Sequence, residues 1–163
     1  MSAPIIYIDK SSVREGKLNE LKSAIEELVE FVESHVPRLI AYNVYLNSDG
    51  TQMAVVQTQP DSASLEFHMD AGGPAFAKFK DLIRLTAMEV YGEPSEGLRK
   101  RLLEKAHMLG GSEEIITFHK RQAGFSRGAI ELLHLQVIER SREAAMRDRS
   151  PQSAAPQALA GET

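Results

Sequence analysis

The sequence predicts an α+β domain whose first half runs β-α-β-β-α-β, the ferredoxin-like order. Three observations carry this. A β-branched and aromatic run, Ile5-Ile6-Tyr7-Ile8, opens the chain and suits a buried strand. Apolar residues at Leu18, Leu21, Ile25, Leu28, Val29 and Val32 then recur at helical period, with Glu and Lys on the other side. Finally, two strand-like runs flank Asn47-Ser48-Asp49-Gly50, where Asp-Gly supplies the positive φ of a tight hairpin.

In order, Pro4 to Asp9 reads as the first strand and Ser11 to Gly16 as a polar connection. Lys17 to Ser34 reads as a helix, closed by Pro37 because the residue before a proline avoids the helical region. Leu39 to Leu46 and Gln52 to Gln59 form the antiparallel hairpin. Pro60-Asp61-Ser62 breaks the strand and offers a helix cap. A short helix through Leu65, Phe67 and His68 is expected to stop near Met69, interrupted by Gly72-Gly73-Pro74. A second helical piece then sets Phe76, Phe79, Leu82 and Ile83 on one face, and Leu85 to Tyr91 is the fourth strand. Beyond Gly92-Glu93-Pro94, Ser95 caps a helix holding Leu98, Leu102, Leu103 and Ala106, with Gly110-Gly111 as its stop. Glu114 to His119 reads as a fifth strand and Gln122 to Gly128 as a loop. Ala129 to Ile138 fits a helix or a strand. From Ser150 onward, Pro, Ala, Ser and Gln without aromatic residues predict a disordered tail. These readings divide the chain into a domain over 1–106, an extension over 107–149 and a tail over 150–163.

Composition narrows the function classes. The chain has 163 residues and a formal net charge of −4, so no global basic field recruits nucleic acid or anionic lipid. It has no cysteine, which removes disulfides, zinc–thiolate sites and a thiol nucleophile. The apolar run at Ile5 to Ile8 is too short for a signal peptide or a membrane span, and the protein reads as cytoplasmic. No P-loop, GxGxxG, GxSxG or HExxH motif occurs, and His35, His68, His107, His119 and His134 have no close metal-ligand spacing. No metal and no cofactor is therefore expected. A small basic cluster, Lys120, Arg121 and Arg127 with Phe118 and Phe125, reads as a solvated loop.

Both hairpin strands carry mixed or apolar residues on each face, the mark of strands buried on both sides. A second copy of the sheet is one cover for the far face, which makes a homodimer the expected partner. The C-terminal third folding back over the sheet is another.

His68 is the candidate catalytic residue, since a neutral imidazole near pH 7 suits general base work. A helix-terminal histidine bonding a carbonyl is the structural alternative. Tyr42 and Gln57 are expected to line a pocket on the helix side, while Tyr7, Asn43 and Glu89 fall on the opposite alternation; a one-residue register error exchanges the sets. Phe67, Phe76 and Phe79 are candidates to hold an aromatic substrate, or are ordinary core.

The element order, together with Ile5-Ile6-Tyr7-Ile8, Val13-Arg14-Glu15-Gly16-Lys17, Pro37, Asp49-Gly50 and Leu65-Glu66-Phe67-His68, resembles the antibiotic biosynthesis monooxygenase superfamily. The resemblance covers residues 4 to about 91. It implies a ferredoxin-like subunit that pairs into a dimeric α+β barrel, with a helix-two histidine at His68. It also implies cofactor-independent oxygenation of a small aromatic or quinol-type substrate. The haem-degrading branch uses an Asn, Trp and His set; this chain has no tryptophan, and that activity is not carried over. A non-catalytic small-molecule-binding or assembly module on the same barrel is the alternative.

Overall fold

The computed structural model describes residues 4–125. The expectations for Ala129 to Ile138 and for the tail from Ser150 lie outside the described residues. Residues 4–122 pack as one compact unit. Its elements are β1 (Ile5–Val13), α1 (Leu18–His35), β2 (Ala41–Leu46), β3 (Gln52–Gln59), α2 (Ser62–Ala77), β4 (Ile83–Tyr91), α3 (Glu96–Met108) and β5 (Ile116–His119). Short 3-10 turns over Lys78–Asp81 and Glu113–Ile115 precede β4 and β5.

The five-stranded sheet has the order β2-β3-β1-β4-β5. The first four strands are antiparallel neighbours, as the ferredoxin-like order requires. β5 lies parallel to β4 at the far edge, reached through the α3 crossover. At the hairpin, Gly50 takes φ 71°, and Asn47 N–H bonds the Gln52 carbonyl. A side chain on Gly50 would also collide with Leu18, so both backbone and packing call for glycine there.

The core lies on the helix side of the sheet. Alternate residues point there: Ile5, Tyr7, Asp9 and Ser11 from β1, and Met53, Val55, Gln57 and Gln59 from β3, all buried. On β4 the buried set is Ile83 and Leu85, then Met88 and Val90. The phase changes because a bulge opposite Lys10 and Ser11 inserts one residue in β4. Above this face α1 contributes Leu21, Leu28 and Val32, and α3 contributes Leu98, Leu102 and Ala106. Ser95 Oγ accepts the Leu98 N–H at 3.0 Å, which is the cap expected for α3.

Besides the ends of two strands (β1 runs on through Ser11 to Val13, and β4 already begins at Ile83), two expectations need correction. Helix α2 runs unbroken through Gly72-Gly73-Pro74 instead of stopping near Met69. Leu65, His68, Met69, Gly72 and Phe76 form one buried helical stripe. Burying that stripe outweighs the local cost of two glycines and a proline, about 5 kcal/mol. The second correction is Tyr7. It stands opposite Gln57 in the β1–β3 pairing, and residues directly opposite share a face, so Tyr7 is on the helix side. The run Ile5-Ile6-Tyr7-Ile8 has no polar alternation to set its phase; the register with β3 sets it. Asn43 pairs with Val56 and Ile8 with Glu89, which leaves Asn43 and Glu89 on the opposite face as expected.

Candidate functional site

Between the sheet, α1, α2 and α3 lies a cleft of about 370 Å³, its open mouth included. Its walls are apolar: Ile25, Leu28, Val44, Val55, Phe76 and Phe79 are among them. Inside, the walls close in and leave room for roughly one water. Three polar side chains face this space: Asp9, Lys105 and Tyr42.

Asp9 and Lys105 form a buried ion pair. Lys105 Nζ donates to Asp9 Oδ2 at 2.8 Å and to the Tyr7 hydroxyl oxygen at 3.2 Å, and Tyr7 O–H donates to the same Asp9 oxygen at 3.0 Å. The two charged side chains are only 8% and 4% exposed, so solvent screens them little. The ammonium also lies 4.6 Å from the Phe76 ring centroid and 5.0 Å from that of Tyr7, both within cation–π range. β1 supplies Asp9 from its inward alternation, and α3 supplies Lys105 from its apolar stripe. Burial and the neighbouring Asp9 charge push the Tyr7 phenol well above its ordinary value, and the same two causes raise Tyr42. Both phenols are therefore held neutral, as hydrogen-bonding groups rather than bases.

His68 is fully buried and does not line the cleft. Its ring sits beside those of Tyr42 (centroids 5.6 Å apart) and Phe76 (5.4 Å), which do. Burial first, and the Lys105 charge second, push its pKa down to about 3. A base that weak is poorly matched to proton abstraction near neutrality. Gln57 is also fully buried; it contacts His68 rather than the cleft. Of the aromatic candidates, Phe76 and Phe79 line the cleft, whereas Phe67 is 54% exposed on the outer side of α2.

Sequence reasoning missed Asp9, Lys105 and the buried Gln59. A signal was present for the first two. Asp9 continues the inward alternation of Ile5 and Tyr7. Lys105 lies seven residues after Leu98 and three after Leu102, inside the apolar stripe of α3. A charge on an otherwise apolar face asks for a partner, and each is the other's.

Elsewhere, Lys120 meets Glu93 at the surface, and Arg127 lies outside the described residues. No cluster able to hold a metal ion occurs among the described residues. None of their helices is long and apolar enough to cross a membrane.

No protein-family profile matches the chain, and no curated protein matches it by sequence. Solved structures do. MupZ from Pseudomonas fluorescens is similar with a TM-score of 0.62 at 21% identity, over 78% of this chain and 98% of that one. A conserved protein from Bacteroides thetaiotaomicron gives a TM-score of 0.51 at 16% identity, over 57% and 100%. The neighbours also include SnoaB, a cofactor-independent oxygenase from Streptomyces nogalater, with a TM-score of 0.49 at 11% identity, over 58% and 96%. At these identities the likeness of the first two speaks for the fold. Residues 4–122 form a ferredoxin-like α+β unit, extended by a fifth, parallel strand.

Proposed function

We propose that the helix-side cleft is the active site of a cofactor-independent oxygenase acting on a small aromatic or quinol-type substrate. The observation that carries this reading is the buried Asp9–Lys105 pair opening onto an otherwise apolar space. A flat apolar ring would lie between Phe76, Phe79 and the aliphatic walls, which must part to admit it. Its hydroxyl meets the one charged centre in the cleft. Asp9 accepts the phenol or enol proton, and the Lys105 ammonium holds the resulting oxyanion. The electron-rich ring then reacts with dioxygen directly. In the net reaction a ring CH2 becomes C=O; one oxygen atom enters the product, and the other leaves as water with the two hydrogens. Tyr7 orients Asp9 throughout.

The test is oxygen uptake and quinone absorbance with a panel of hydroxynaphthalenes and anthrone-type phenols. Asp9→Asn and Lys105→Met are expected to lower turnover by a factor of about 100 or more, the usual worth of a positioned acid or base. A second reading, a non-catalytic binding or assembly module, draws on the closeness of the cleft walls, which leave room for about one water. Binding without oxygen uptake would favour the binding module, and absence of both the assembly module.

The partner belongs to the same proposal. The outer face of the sheet carries Ile6 at 41% and Tyr45 at 56% exposure, with half-buried Ile8, Ala54 and Val56 between them. A second copy of this chain, sheet on sheet, removes that apolar surface from water. Sedimentation is expected to give a dimer, and Ile6→Lys a monomer; a wild-type monomer at micromolar concentration refutes the pairing.

A further inference from the structure

Behind the cleft runs a line of buried polar side chains that the proposed chemistry does not use. Ser64 Oγ donates to Gln59 Oε1 at 2.7 Å. Gln59 Nε2 donates to Gln57 Oε1 at 2.9 Å. Gln57 Nε2 faces His68 Nε2 at 3.5 Å, the longest link. All four residues are 2% exposed or less. Neutral amides are costly in a core unless paired, and here each is paired to the next along the line.

The line has a direction. The Ser64 hydroxyl has its hydrogen-bond acceptor in Gln59. Each amide then passes its own N–H onward, and the last N–H points at His68 Nε2, which must accept. The single proton of the neutral ring therefore sits on Nδ1. That atom is buried and has no hydrogen-bond partner among the described residues. An orphaned buried N–H is rare and costs free energy, so an acceptor is expected to reach it in some state of the protein.

We propose that Ser64, Gln59 and Gln57 are positioning residues that hold His68 as an Nδ1–H donor, and that this donor selects ligands carrying a second oxygen. The proposal rests on the cleft being a ligand site and narrows its substrate class. Tyr42 and Phe76, the two rings beside His68, are both cleft walls. Phe76 also touches the other polar end: Lys105 Nζ is 4.6 Å from its centroid, and the His68 ring centroid is 5.4 Å from it. The cation and the imidazole are thus no farther apart than those two lengths laid end to end. One oxygen of the ligand meets Lys105; a second, accepting one, meets His68 once Tyr42 and Phe76 give way. A quinol or hydroxyquinone has both, and a simple phenol has one.

The experiment uses the full chain labelled with ¹⁵N-histidine. Long-range proton–nitrogen correlations between pH 6 and 8 report the tautomer of His68 without any ligand. A neutral ring with its proton on Nδ1 is expected, with Gln57→Leu producing a mixture of tautomers. A ring protonated on Nε2, or a charged ring, overturns the relay. Binding is then compared for two probes, 4-methoxy-1-naphthol and 1-naphthol. The methoxy compound is expected to bind about fivefold tighter, the worth of one neutral hydrogen bond. That preference disappears in Gln57→Leu and in His68→Phe, while Lys105→Met weakens both probes equally. Equal binding of the two probes to the wild type, with Lys105→Met still weakening both, overturns the second-oxygen claim and leaves the cleft reading standing. Failure of both probes to bind overturns the cleft reading and the selectivity with it.

Discussion

Replacing Lys105 by Met separates the buried ion pair from the surrounding packing. The substitution keeps most of the side-chain volume and removes the charge. At 2.8 Å the pair attracts by about 6 kcal/mol if the effective dielectric constant is about 20. Most of that offsets the desolvation of two charges and is not net stability. The cost of the single substitution comes from what remains: an Asp9 carboxylate, 3% exposed, with the Tyr7 hydroxyl as its one hydrogen-bond partner among the described residues. Removing one member of a buried pair typically costs about 3–5 kcal/mol. Asp9→Asn should cost a similar amount through the stranded ammonium. The double variant should recover most of the loss, since neither charge is left behind. Urea unfolding followed by circular dichroism measures all four corners of the cycle, the chain having no tryptophan. Additive single losses, or a cost below about 1 kcal/mol for Lys105→Met, would refute the reasoning and mean that water reaches the pair.

Further outcomes follow from the same structure. His68 has a folded pKa of about 3 against an ordinary value near 6.5, so the unfolded chain holds the extra proton between these values. Stability therefore falls with pH through that window, by about 2 kcal/mol from pH 7 to pH 5; His68→Phe should lose this part of the slope, and an unchanged slope refutes the buried neutral ring. Gly72→Ala places a Cβ against the Phe76 ring and should cost about 1–3 kcal/mol, checked by thermal unfolding; a stabilised variant would mean that Phe76 moves freely. Ser95→Ala removes the cap of α3 and should cost about 1 kcal/mol by the same measurement, with no loss taken as evidence that α3 is capped otherwise.

How much was legible in the sequence varies with how local the cause is. The hairpin at Asp49-Gly50, the stripe of α1 and the Ser95 cap are decided by residues within a few positions of one another, and each reads directly from the chain. Pro74 was a local signal with the wrong weight, because the stripe from Leu65 to Phe76 is buried by elements far away in sequence. The candidate site divides in the same way. Tyr42, Phe76 and Phe79 were found, since alternation or helical spacing set them inward. Phe67 shares their chemistry but faces out, one position removed from His68 on the helix.

Taken by itself, the sequence determined the element order, the ferredoxin-like class and the inward stripes, because periodicity and turn chemistry are properties of neighbouring residues. Only the tertiary structure decided which charged and amide groups meet. Asp9 and Lys105 are 96 residues apart in the chain and 2.8 Å apart in the fold. Strand register, not composition, turned Tyr7 toward Gln57. The physical reason is the same in both cases: a buried polar group takes its meaning from the partner that solvates it in place of water, and that partner is chosen by packing.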